Sequence, residues 1–243
     1  MAQHIALSRT QHKDLRIKQN RSLDMGDGVM SCIVVPNELR NVQNHYPILL
    51  QRNSERDEYR LVALFGFQQE ENLFLQNDNW DARYLPFAMD IQPFLIGLTQ
   101  DENADHQVHI DLDSPRINQE HGIRVFDVDG QPTEYMQRIT SKLTALHEGY
   151  QSCPEFIQCL QKFDLIEPLT LEIELLDTSV NRLVGFHTIN EDKLKNLETS
   201  ALEELQTKNY LLPVFMMVAS LSNIVDLVER KNGFLKEALG LDH

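Results

Sequence analysis

Glycine is scarce in this chain, ten in 243 residues. No G-x-G-x-x-G and no Walker-type G-x-x-x-x-G-K-[ST] occurs. Those loops need glycine where backbone must approach a phosphate, so their absence argues against dinucleotide and P-loop chemistry. G-x-S-x-G and H-E-x-x-H are missing as well, which removes the nucleophile-elbow hydrolases and the zincin metalloproteases. Cysteine is rarer still: Cys32, Cys153 and Cys159. An odd number with no C-x-x-C gives neither a disulfide framework nor a trustworthy zinc spacing. Basic residues are also short, 22 against 37 acidic, for a net charge of -15. A field of that sign repels phosphate backbones and anionic headgroups, and argues against a nucleic-acid partner. Finally, long hydrophobic runs are absent. The longest, "LLPVFMMVASL" (Leu211 to Leu221), is shorter than the ~20 residues of a bilayer span and holds Pro213. It is expected to be a buried helix, with no membrane insertion. The first twenty residues have no basic segment followed by an apolar one, so a cytoplasmic location is expected.

What is present is an ordinary globular composition, 42% hydrophobic, in a chain long enough to build a real core. The first part reads as strands: "HIALS", "LRI", "VMSCIVV" closed by Pro36, then "YPILLQR" and "YRLVALFGF" across the polar turn "NSERDE", a hairpin spacing. "PNELRNVQNHY" is a short helix between them, and "NLFL" is expected to continue the meander. "PFLIGLT" and "HQVHIDLD" follow, separated by the acidic loop "QDENADH". In the latter Val108, Ile110 and Leu112 point one way, and His109, Asp111 and Asp113 the other.

The second part turns helical. Tyr135, Ile139, Leu143 and Leu146 form one helical stripe. "CPEFIQCLQKFDLI" then starts a further helix with Pro154 in its first turn. "LTLEIELL" and "NRLVGFHTI" form a strand pair. Asn190 opens a helix whose buried face is expected to hold Leu194, Leu197, Leu202 and Leu205. A last helix, central and apolar around its circumference, is expected from Tyr210 to about Lys231, ending before Gly233. The expected architecture is α+β in a single domain over residues 1–243. A strand-rich N-terminal part (about 1–115; a curved antiparallel sheet or partial barrel) packs on a helical C-terminal part (about 116–243) with an extra strand pair.

Three constellations bear on chemistry. His109 and Asp111 form an H-x-D on one strand face, the beginning of a two-histidine-one-carboxylate iron site, with His147 or His187 as second histidine. A wet face on an edge strand explains the pattern equally simply and is preferred. "DVDG" (Asp127 to Gly130) opens like a calcium loop but lacks the later carboxylates, so a tight turn with Gly130 at positive φ is expected. "ENLFLQNDNWDARYLPF" (Glu71 to Phe87) holds the chain's single tryptophan. Trp80, Tyr84 and Phe87 follow three- and four-residue spacings that a helical turn would gather on one side. With Asn72 and Arg83 they are the candidate partner-binding residues, core packing being the rival account. Cys32 is read as a core residue, and Cys153 and Cys159 as structural.

Several of these pieces, taken in order, resemble the SapC family of bacterial proteins: "NHYPILLQR", "LVALFGFQQEENLFLQNDNWDARYLPF", "PFLIG", "IRVFDVDGQPTEYMQ", "LVGFHTINEDKLKNL" and "VASLSNIVDLVER". The resemblance spans roughly residues 25 to 232. It implies no catalytic motif. It does imply an accessory role beside TonB-dependent receptors, cupin/JmjC-like oxygenases and tryptophan-halogenase-like proteins. The family name implies a surface-layer context, reached here only by a signal-independent route. Many members are basic, with paired arginines, where this chain has "AMDIQPF" with Asp90 and Ile91. The function expected is a non-enzymatic, cofactor-free accessory protein that binds a protein or peptide. The alternatives are a surface-layer component and an iron-dependent oxygenase using His109 and Asp111.

Overall fold

The structure, a computed structural model, describes residues 4–53, 58–97 and 107–240. The expected loop "QDENADH" and most of the turn "NSERDE" lie outside the described residues. In chain order the elements are β1 (His4–Ala6), β2 (Arg16–Ile17), β3 (Ser31–Ile33), α1 (Leu39–Val42), β4 (Ile48–Asn53), β5 (Glu58–Leu64), β6 (Leu75–Gln76), β7 (Asn79–Trp80), α2 (Phe87–Asp90) and β8 (Phe94–Gly97). There follow β9 (Gln107–Asp111), β10 (Ile117–Asn118), β11 (Ile123–Arg124), α3 (Glu134–Lys162), β12 (Ile166–Glu174), β13 (Val180–Ile189), α4 (Glu191–Lys195), α5 (Thr199–Thr207), α6 (Leu211–Ser220) and α7 (Asn223–Leu239). The fold is α+β, with several antiparallel sheets and no closed barrel among the described residues.

The chain sorts into two compact units, each assembled from separated segments. The first comprises residues 1–28, 75–81 and 87–148. It holds two small sheets, β1-β9-β8 and β10-β2-β11, and the β6–β7 hairpin. Its core gathers Ile17, Phe94, Ile110, Val125 and Phe126 around Tyr135, Met136, Ile139 and Leu143 of α3. The helical stripe thus faces inward as its spacing predicts. Gly130 turns the 127–130 loop at φ 74°, and the Asp127 carboxylate accepts from the Asp129 and Gln131 amides at 2.9 and 2.8 Å.

Beside this core lies a buried ionic cluster. Asp27 is fully buried and accepts from Arg116 Nη2 at 2.5 Å, Arg21 Nη1 at 3.3 Å and the Ser22 amide at 3.0 Å. Arg21 also donates to the Met89 carbonyl at 2.9 Å and to Asp90 at 3.3 Å. Lys142 pairs with the second Asp90 oxygen. The acidic residue at the "AMDIQPF" position is thus tied to Arg21 and Lys142, and its neighbour Ile91 is core. A buried charge is tolerated only when its partners are in place.

The second unit comprises residues 29–74, 82–86 and 149–243. Its five-stranded antiparallel sheet has the order β12-β13-β4-β5-β3. The β4–β5 hairpin is the one expected, and the later strand pair extends the same sheet through Phe186↔Gln51 and His187↔Leu50. β5 is buried from Leu61 to Leu64, because an apolar run suits a strand covered on both faces. "NLFL" does not continue this sheet. Leu73 bonds back to Phe65, and Leu75 pairs with Trp80 in the separate hairpin.

Three helix expectations are corrected. α3 runs unbroken for 29 residues through Pro154, where two helices were expected. The proline removes one amide, and tertiary packing of Phe156 and Leu160, both fully buried, outweighs that loss. Leu202 is exposed, because α4 and α5 are separate helices and the stripe does not carry across the break. The last helix is divided at Leu221–Ser222, continues through Gly233, and ends at Gly240 with φ 66°. Ser220 closes α6 by accepting from the Ile48 amide at 2.9 Å and donating to the Met217 carbonyl at 2.6 Å. The Leu211–Leu239 segment has an 18-residue stretch of mean hydropathy 1.9, long and apolar enough to cross a membrane by length and composition, yet only 33% of that stretch is buried. Leu212, Phe215 and Val225 face outward, so this segment is not the enclosed central helix expected.

Replacing Asp27 with alanine leaves Arg21 and Arg116 without their shared anion. The unfolding free energy is expected to fall by about 3–5 kcal/mol, the usual consequence of breaking a buried pair. Urea unfolding followed by circular dichroism measures it. A loss under about 1 kcal/mol would show that water replaces Asp27 at the two guanidinium groups.

Candidate functional site

Three backbone pairs define the β3–β5 ladder. The Phe65 amide donates to Met30 at 2.7 Å, Cys32 faces Ala63, and the Val34 amide donates to Leu61 at 3.0 Å. The next pair in register would be residue 36 with Tyr59, but Pro36 has no N–H to give. There the chain turns away into a 3-10 turn, Pro36–Glu38. β3 stops and β5 continues alone along that edge.

A groove of about 470 Å³ opens at this place. Ile33, Val34 and Val35 line one end, Glu58 to Leu61 one wall, and Tyr150, Cys153, Pro154, Ile157, Gln158 and Gln161 of α3 the other. α3 is held close at one point. A Cβ on Gly149 would stand 2.6 Å from the Val35 Cβ, so glycine permits the approach. One turn on, the Leu61 amide bonds the Cys153 sulfur. The floor is apolar (Cys153 and Ile157 are buried), while glutamines and one charge of each sign, Glu58 and Arg60, rim it. Tyr150 stands 54% exposed at the mouth. Sequence reasoning missed this groove. The only signal available was the position of Pro36 relative to the hairpin, and no spacing rule links Pro36 to α3.

The groove's one thiol is held un-ionised. Burial pushes the Cys153 thiol up to about 11, against the weaker opposite pull of the Leu61 amide. Burial also raises Cys32, with Glu38 adding to it, and raises Cys159. All three are thiols at neutral pH.

The expected binding residues are placed as follows. Trp80 and Phe87 belong to the first unit, in β7 and at the start of α2; Asn72, Arg83 and Tyr84 belong to the second. No helical turn joins residues 80 to 87, so the predicted one-sided stripe does not form. Trp80 instead faces Leu75 across a hairpin whose turn residues Asn77 and Asp78 adopt positive φ. Tyr84 donates to the buried Glu38 carboxylate at 2.8 Å, and its carbonyl accepts from the Tyr46 hydroxyl. Asn72 accepts from the Phe74 amide at 3.0 Å. Arg83 is exposed, near enough to His45 to help lower its pKa after burial.

His109 pairs with Leu95 on β8, and its ring lies over Gly97, where a Cβ would meet it at 2.2 Å. Asp111 accepts from the Asp113 amide at 3.1 Å. His187 stacks edge-on against Tyr59 with ring centres 5.0 Å apart. Among the described residues, no group of three or more His, Cys, Asp or Glu side chains is placed to hold a metal ion.

The family model for SapC matches residues 7–227. No curated protein and no solved structure matches the chain.

The thiol chemistry is directly measurable. At pH 8, alkylation of Cys153 by iodoacetamide is expected to run about a hundredfold slower in the native chain than in urea, given a folded pKa of about 11 against 9.0. Because the folded value is raised, this group's contribution to stability is intact below pH 9.0 and declines as the pH climbs toward 11. Mass spectrometry of the labelled peptide reads the rate. Equal rates in both states would mean that the thiol is not held un-ionised.

Proposed function

Because the chain belongs to the SapC family, we propose that it is a non-enzymatic accessory protein that binds a protein or peptide partner, with the groove between β5 and α3 as its binding surface. One observation carries the reading: a cleft with an apolar floor and an amide rim whose only cysteine is a protonated thiol. Clefts that bind have this division, apolar area for affinity and a few polar groups for orientation. A site for covalent chemistry needs an activated nucleophile beside a base, and Cys153 is tuned the opposite way. The partner belongs, on this reading, to the TonB-receptor, halogenase or oxygenase-type systems that the family resemblance brings in. The net charge of -15 favours basic partners over nucleic acid or anionic lipid. We place the function in the cytoplasm and assign no cofactor.

The test is affinity capture from the native lysate with wild-type chain, Tyr150→Glu and Trp80→Ala. Tyr150 is exposed, so its substitution leaves the core intact. Retention of a partner by wild type and Trp80→Ala, with at least a tenfold loss for Tyr150→Glu, is the expected result. Loss with Trp80→Ala alone would move the binding surface to the β6–β7 hairpin. Absence of any retained partner overturns the binding reading.

A further inference from the structure

Resting on that reading, we propose that the groove takes its partner as an extended strand, added to the edge of β5 where β3 ends. The backbone geometry carries the inference. Alternate residues of a strand aim both N–H and C=O at the same neighbour. On β5 the Leu64 amide bonds Pro47 of the β4 side, whereas Phe65 bonds Met30 on the β3 side. Odd-numbered residues therefore face β3. Ala63 pairs with Cys32, the Leu61 carbonyl accepts from Val34, and the Leu61 amide meets the Cys153 sulfur. Tyr59 is next in this series. Pro36 has ended the ladder, so among the described residues neither the Tyr59 N–H nor its C=O meets a strand partner on that side.

Natural sheets cover such edges with a helix or blunt them. Here α3 covers the edge at Leu61 through Cys153. At Tyr59 the helix stands off, and the cavity of about 470 Å³ fills the interval. An open donor-acceptor pair next to an apolar cleft is the chemistry that recognises an added strand: backbone bonds give affinity and alternate side chains give specificity. A small organic ligand would leave the paired spacing of N–H and C=O unused. Charge refines the occupant. Glu58 and Arg60 are two apart and share one face of β5. A strand opposite them is best matched by a basic and an acidic residue at the same spacing, enclosing an apolar residue opposite Tyr59. The free stretch Glu58–Arg60 is short, so the added ladder spans two or three residues.

The probe is a phage-displayed library of random linear ten-residue peptides, selected on the purified full chain. Enriched peptides are expected to carry, in an antiparallel strand, an acidic residue opposite Arg60, an apolar one opposite Tyr59 and a basic one opposite Glu58, and to lose at least tenfold in binding to Tyr150→Glu. N-methylation of the one peptide amide that bonds the Tyr59 carbonyl should weaken binding at least tenfold, while methylation of the adjacent amide leaves it unchanged. Hydrogen exchange at the Tyr59 amide should slow at least tenfold in the complex. Peptides that need Tyr150 but tolerate N-methylation at every position would overturn strand addition and leave groove binding standing. If no peptide is enriched, strand addition is again overturned. If lysate capture also fails, the binding reading falls with it.

Discussion

A missing hydrogen atom on Pro36 organises the second unit. Because that residue cannot donate to Tyr59, β3 ends at its N-terminal side and the chain is released into the Pro36–Glu38 turn. The turn places Glu38, 1% exposed, where it accepts from the Val35 amide at 3.3 Å and from the Tyr84 hydroxyl at 2.8 Å. Tyr84 in turn receives the Tyr46 hydroxyl on its carbonyl, and Tyr46 stacks edge-on with Phe65 and Phe74 at 5.2 and 4.7 Å. Arg230 of α7 closes over Phe74 at 4.4 Å, a cation over a ring face. One interrupted ladder thus sets the aromatic core on one side and the groove on the other.

The first unit is organised differently, by charge. Asp27 sits between two arginines, and its position dictates where β2, α2 and the segment carrying Arg116 must meet. Such a cluster contributes little net stability compared with apolar packing of equal volume. It does penalise every arrangement that separates its members. Asp90 is a counter-ion to Arg21 and Lys142.

Much of the fold was legible in the sequence. The Tyr135, Ile139 and Leu143 stripe, the β4–β5 hairpin, the Gly130 turn and the Asn190 cap all rest on local periodicity or local capping chemistry, and each is present. Where tertiary packing decides, local signals misled. Pro154 looked like a helix start but lies inside α3, because the helix is held by Phe156 and Leu160. The apolar run from Leu211 looked enclosed, but only the side carrying Val214, Met217 and Ser220 meets the sheet and α1. The groove was illegible for a deeper reason. Its walls are more than eighty residues apart in sequence, and it exists because of what one residue fails to do in a ladder. The aromatic stretch from Glu71 to Phe87 drew attention by composition, yet its Tyr84 and Asn72 are tied to the scaffold by hydrogen bonds.

The Asp27 cluster also imposes an order in time. Its nearest partner, Arg116, lies 89 residues further along the chain, and Lys142, which pairs with Asp90, comes later still. During synthesis at about 5–20 residues per second, the first segment must wait on the order of 5–20 seconds for its counter-ions. Until then burial of Asp27 is uphill, so its carboxylate is expected to stay solvated while the segment that carries Arg116 is made.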